Sequence, residues 1–124
     1  MQFNKHTAIY LQIANYMYDC ILDEEWNNGA RIPSIRDMAM QLEVNPNTVT
    51  RAYTLLQEDE IVENQRGIGY FTALDAREKV LKRKQKAFLE NELPNLFNSM
   101  QQLGLTLQDL QRQYEKFIKE TIES

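Results

Sequence analysis

Between Gly29 and Thr72 the chain sets two helix-start signals close together and follows them at once with a glycine-containing hairpin, an order of elements that leaves few folds open. Pro33 pushes Ile32 toward extended geometry, so Arg31-Ile32 is expected as a short strand. Ser34 is a natural N-cap, and Asp37, three residues on, can complete a variant of the capping box. The helix expected from Ile35 to Leu42 puts Ile35, Met38, Ala39 and Leu42 on one face, at steps of three and four. Glu43-Val44 makes a tight turn. Asn45 is a second N-cap, and Pro46 fits the first helical position, where no amide hydrogen is needed. The helix over about residues 46–59 should bury Val49, Ala52, Tyr53, Leu55 and Leu56. Next comes a β-prone run, Ile61-Val62-Glu63, then turn residues 64–69, then a return through Tyr70-Phe71-Thr72. This is the layout of a winged helix-turn-helix.

The outward N-terminal edge of the second helix carries Asn47, Thr48, Thr50 and Arg51. These are residue types that read DNA: Arg grips guanine bidentately, Asn pairs with adenine, and Thr donates to phosphate or touches a thymine methyl. A purely local reading also exists, because Asn45, Pro46 and Thr48 are explained as capping residues. The two are compatible, since the free amides of a helix N-terminus attract phosphate. At the hairpin tip, Arg66 beside Gly67 suits a wing that presses a cation and an unhindered backbone on the minor groove or phosphates.

From about Tyr10 to Phe71 the chain resembles the DNA-binding domain of the GntR family of bacterial transcription factors. The matching pieces are Ile32-Pro33-Ser34-x-Arg36-Asp37-x-Ala39, Val44-Asn45-Pro46-Asn47-Thr48-Val49-x-Arg51-Ala52-Tyr53 and Arg66-Gly67-x-Gly69-x-Phe71. The middle run, with a short helical tail after the wing, is most similar to the YtrA-like branch. The resemblance implies DNA contacts from Ser34, Arg36, Asn45, Asn47, Thr48, Thr50, Arg51, Arg66 and Gly67. Many relatives carry Arg where this chain has Pro46, so base readout there differs or is absent. The usual Pro-Gly before the short strand is Asn28-Gly29, and the usual Gly closing the recognition helix is Glu60, so Asp59 or Glu60 should end that helix less comfortably.

At 124 residues the chain has room for one domain and a small appendage, and a catalytic domain is not expected. No nucleophile–base pair, metal cluster or phosphate loop stands out, so neither an enzyme nor a cofactor is expected. Cys20 is the one cysteine and His6 the one histidine, which leaves a zinc site without support. Cys20 shares a helical face with Ile13, Tyr16 and Met17 and reads as a buried, reduced thiol. No apolar run approaches the length of a membrane span and the start lacks a signal peptide, so a cytoplasmic protein is expected. Charge argues against nucleic acid: residues 1–74 hold five basic and ten acidic side chains. The acids gather at residues 23–25 and 58–60, near the far ends of their helices, while Arg36, Arg51 and Arg66 are expected on one surface.

A first helix is expected from Thr7 to Glu25, capped by Thr7, with Ile9, Ile13, Tyr16, Met17, Cys20 and Ile21 as its apolar stripe and Trp26 packing after it. Tyr10, in its first turn, either reaches a phosphate or packs. After a connector at residues 72–75, a helix from Ala76 to Leu103 carries a seam at Leu89, Leu93, Leu96, Met100 and Leu103, alternating steps of four and three. Pro94 should kink or break it near residues 91–94. Gly104 closes it, and Thr106 caps another helix with Leu107, Leu110, Tyr114, Phe117, Ile118 and Ile122 on one face. Two such helices should pack on each other and on a partner, most simply a second copy of the chain; the alternative is that they fold back onto the winged domain of a monomer. Lys82-Arg83-Lys84-Gln85-Lys86 reads as a solvated face that could also touch flanking phosphates.

The expected architecture is mainly α with a small β-wing: a winged helix-turn-helix at residues 1–74 and a two-helix dimerisation tail at 75–124, with Leu89, Leu93, Leu96, Met100, Leu103, Leu110, Tyr114 and Phe117 at the dimer interface. The expected function is a sequence-specific regulator, a repressor, acting as a homodimer on a near-palindromic stretch of double-stranded DNA. No membrane partner is implied, and no small-molecule effector can be named from the residues. The acidic total leaves one alternative open, a winged helix that binds protein rather than specific DNA.

Overall fold

The computed structural model describes residues 1–123, so Ser124, the last residue of the expected tail, lies outside the described residues. The elements run α1 (Ile9–Leu22), β1 (Arg31–Ile32), α2 (Ile35–Leu42), α3 (Pro46–Glu58), β2 (Val62–Gln65), β3 (Gly69–Thr72) and α4 (Ala76–Ala87). A π-helical turn at Phe88–Glu92, then α5 (Leu93–Leu103) and α6 (Leu107–Glu123), complete the chain. The three strands form an antiparallel sheet in the order β1-β3-β2, with Ile32 opposite Tyr70, Val62 opposite Thr72 and Gln65 opposite Gly69. The chain divides into two compact units, Met1–Lys84 and Gln85–Ser124.

In the first unit α1 and α2 both pack on α3, and the sheet closes the far side. Ile13, Met17 and Ile21 of α1, Met38 of α2, and Val49, Ala52, Tyr53 and Leu56 of α3 form the core, with Ile32, Ile61 and Val62. The same core takes in Ala76 and Val80, so the helix after the wing is bound into the first unit as far as Lys84. Cys20 is a buried free thiol, and burial pushes its pKa up to about 11. It therefore stays protonated and unreactive at neutral pH.

The first helix is shorter than its apolar stripe suggests, ending at Leu22 and starting at Ile9. Ala8, not Thr7, stands at the N-cap and makes no side-chain bond. Gln12 takes over the task from inside: its amide nitrogen donates to the carbonyls of Asn4 and Thr7, and its Oε1 accepts the Asn4 amide. This glutamine is buried, whereas Ile9 is exposed and Tyr16 only half-buried.

The caps of the next two helices hold as read. The Ser34 hydroxyl accepts the Asp37 amide at 3.1 Å, and Asn45 Oδ1 accepts the Asn47 amide at 2.8 Å. Helix α3 then closes through Glu60 in the left-handed region, at φ 58°. A side chain there costs on the order of 1 kcal/mol that glycine would avoid. The hairpin strands are longer than their composition suggests. Asn64, Gln65 and Gly69 are paired, and the tip shrinks to Arg66, Gly67 and Ile68, with the Ile68 amide donating to the Gln65 carbonyl at 2.9 Å. Gly67, at φ 76°, is the third residue of the Gln65–Ile68 turn, the position where a type II turn needs left-handed backbone.

In the second unit, helical structure is continuous through Pro94. The preceding turn widens to a π-turn at Phe88–Glu92, which accommodates the missing amide and the ring of the proline. Gly104 caps α5 at φ 68°. Thr106 and Asp109 form a reciprocal capping box, the Thr106 hydroxyl accepting the Asp109 amide and the Asp109 carboxylate accepting the Thr106 amide at 2.8 Å. The expectation that the two tail helices pack on each other is not met: among the described residues α5 and α6 make few contacts. Their apolar faces are consequently bare. Leu103 is 71 %, Tyr114 65 % and Phe117 62 % exposed, Leu89 and Leu96 are exposed, Leu93 and Leu110 are half-buried, and Met100 alone of the expected seam is buried.

Candidate nucleic-acid interface

Two packed helices and a hairpin tip carry the side chains that the sequence singles out. Ser34 and Arg36 lie at the first turn of α2, Asn45 to Arg51 over the first turns of α3, and Arg66-Gly67 at the wing tip. The capping bonds fix what each has left to offer. Ser34 uses an oxygen lone pair for its cap, so its hydroxyl proton remains for a phosphate oxygen. Asn45 uses its carbonyl oxygen and keeps its two amide hydrogens. The Thr50 hydroxyl donates to the Pro46 carbonyl at 3.0 Å, so outward it presents a methyl group and oxygen lone pairs rather than a proton. Asn47 is exposed and Thr48 half-buried.

Two tyrosines hold this frame together. Tyr53, fully buried, donates its phenol to the Pro33 carbonyl, which ties α3 to the start of α2. Burial pushes the Tyr53 phenol well above its ordinary range, so it remains a donor. Its ring meets Tyr70 of β3 edge-on, with centroids 4.9 Å apart, which fixes the wing's base against the recognition helix. Thr72, further along the same strand, ties β3 to the loop before β1, its hydroxyl donating to the Asn27 carbonyl at 2.7 Å and accepting the Ala30 amide.

Residues 9–72 match the sequence model described as "Bacterial regulatory proteins, gntR family". The chain belongs to that family. It is 38 % identical over 109 residues to the HTH-type transcriptional regulator YhcF of Bacillus subtilis, an alignment covering 88 % of each protein. It is 31 % identical to the HTH-type transcriptional repressor YtrA of the same organism, across 84 % of this chain and 79 % of that one. A solved structure assigned to the GntR family of transcriptional regulators, from Bacteroides thetaiotaomicron, shares the fold with a TM-score of 0.82 and 37 % identity, over 92 % of this chain and 99 % of its own. This GntR-family protein is thus a transcription regulator with a DNA-binding helix-turn-helix, in a family of regulators rather than enzymes.

Helix α4 supplies the cations of the first unit's ion pairs. Arg83 reaches Asp59 at 2.7 Å, Lys84 reaches Asp19 at 3.0 Å, Arg77 reaches Glu24 at 3.5 Å, and Lys79 and Lys82 pair with Asp75 and Glu78. Arg77 and Lys79 also donate to the carbonyls of Leu22 and Glu60, at the negative ends of α1 and α3. Among the described residues Arg31, Arg36, Arg51 and Arg66 take part in no ion pair. Helix α4 thus partners Asp19, Glu24, Asp59 and Glu60, whereas these four arginines have no acidic partner among the described residues.

This role of α4 escaped the sequence reading, which took residues 82–86 as a solvated face. Its signal was there: Ala76, Val80, Arg83 and Lys84 recur at helical steps of three and four. Tyr10 carried no signal for its actual contact, since nothing local relates it to Arg51, whose guanidinium stacks 3.9 Å from its ring centroid. Among the described residues no cluster of His, Cys, Asp and Glu could hold a metal ion, and no helix is long and apolar enough to cross a membrane.

Proposed function

We propose that this GntR-family protein is a homodimeric, sequence-specific repressor that binds a near-palindromic operator. Residues 1–74 carry the reading head and 75–124 the dimerisation tail, whose first turns double as a buttress for the reading head. Helix α3 enters the major groove, and the wing lies on the adjacent minor groove or backbone. Ser34, Arg36, Asn45, Asn47, Thr48, Thr50, Arg51, Arg66 and Gly67 make the contacts. The observation that carries this reading is the division of charge: α4 supplies cations to Asp19, Glu24, Asp59 and Glu60, while among the described residues Arg31, Arg36, Arg51 and Arg66 have no ion-pair partner.

Dimerisation is supported by the bare apolar faces of α5 and α6, since helices with such faces need a partner and a symmetric copy is the simplest one. Repression is supported by the relationship to YtrA, which is described as a repressor. The reading is tested by selecting bound sites from random double-stranded DNA with the full chain. The expected product is an inverted repeat whose half-site centres lie about one helical turn, or a multiple of it, apart. Binding should be strongly salt-dependent. Failure to enrich any sequence at low salt would favour the protein-binding alternative.

A further inference from the structure

Tyr10 is half-buried at the first turn of α1, yet it does not belong to the core on which α1 packs. Its ring does one evident thing. The Arg51 guanidinium lies over it at 3.9 Å from the centroid, closer than the contacts that Arg83 and Lys84 make with Tyr18 at 5.1 and 6.0 Å. The two residues wall a shallow cleft of about 280 Å³ with Thr50, Thr54, Leu55 and Glu58. No carboxylate pairs with Arg51 among the described residues, so the aromatic face is its only recorded anchor.

A guanidinium is planar, and its N–H donors lie in its plane. Stacking on a ring occupies one face and leaves the donor edge open. A long, exposed arginine otherwise loses rotamer freedom when it grips a base edge, and that loss weakens recognition. We propose that Tyr10 is a positioning residue for base readout: it holds Arg51 in its reading geometry before DNA arrives, without touching DNA itself. This rests on Arg51 being a DNA-contacting residue, as proposed above.

The test is a double-mutant cycle on operator affinity with the full chain, using Tyr10→Phe, Tyr10→Leu, Arg51→Ala and Tyr10→Leu/Arg51→Ala. Phenylalanine keeps the ring and loses the hydroxyl, so Tyr10→Phe should bind within about twofold of the parent. Tyr10→Leu should weaken the operator about two- to fivefold for each copy of the chain, the strength of an exposed cation–π contact. It should also flatten base preference at the same position that Arg51→Ala flattens. In the Arg51→Ala background Tyr10→Leu should do nothing further.

Three results would overturn the inference. If Tyr10→Phe binds as poorly as Tyr10→Leu, the hydroxyl contacts DNA directly. If Tyr10→Leu weakens binding equally in both backgrounds, the ring acts independently of Arg51. If Tyr10→Leu binds more tightly, the stack sequesters Arg51 from DNA. Arg51→Ala with unchanged affinity would instead remove the reading of Arg51 as a contact, and this inference with it. Tyr10 lies outside the core, so unfolding is not expected, and circular dichroism of each variant verifies this.

Discussion

Leu96→Glu is expected to turn the protein into a monomer and to lower operator affinity by about a hundredfold or more, the gain normally made by joining two half-site contacts. Leu96 sits on the bare face of α5, 40 % exposed, between Leu93 and Met100 on the same seam. In an isolated chain a glutamate at such a site would be harmless. Across an interface it must lie unpaired in an apolar environment or force the helices apart, and either is costly. The first unit has its own core and no residue of α5 within it, so circular dichroism should show its helices intact. Sedimentation should show the parent as a dimer and the variant as a monomer. A parent chain that is already monomeric at tens of micromolar, yet binds a full inverted repeat tightly, would assign the tail another role.

Arg51→Ala is expected to cost about 1–3 kcal/mol per half-site if the guanidinium grips a base. Because the proposed dimer carries two symmetry-related copies too far apart to couple, the losses should add to about 2–6 kcal/mol. Discrimination should vanish at one base pair in each half-site and persist elsewhere. Arg36→Ala, at the start of α2, is expected to weaken all sequences alike and to lower the salt slope by about one for each copy if it neutralises a phosphate. Neither arginine has an ion-pair partner among the described residues, so losing it should leave no acid stranded and stability nearly unchanged. Unchanged operator affinity in both variants would remove the proposed surface.

The parts of the fold that were legible in the sequence are those with local causes. Ser34, Asn45-Pro46 and Gly104 act on their own backbone, and each marks a helix end where it was expected. The strained stop of α3 was implied by the family resemblance, which puts glycine where this chain has Glu60. The contacts that were not legible link residues distant in sequence. Lys84 meets Asp19, Arg83 meets Asp59, and Arg51 meets Tyr10. Nothing in local periodicity selects one acid or ring over another for such pairs. The burial of Gln12 was not legible for a related reason: its three hydrogen bonds go to Asn4 and Thr7, in the segment before the helix. For the proposed reading head, residue types suggested the contacts, but only the structure shows that the Thr50 hydroxyl spends its proton on the Pro46 carbonyl.

The most direct test is combined dimethyl sulfate and hydroxyl-radical footprinting of the full chain on its selected operator, with Arg66→Ala as the comparison. The proposed homodimer predicts two symmetry-related patches that appear at the same protein concentration, each spanning a major-groove face and an adjacent backbone or minor-groove segment. Removing the wing-tip cation should erase the adjacent segment in both half-sites and spare the major-groove face. One unsymmetrical patch, or a footprint indifferent to Arg66, would contradict a two-fold complex reading DNA through α3 and the wing.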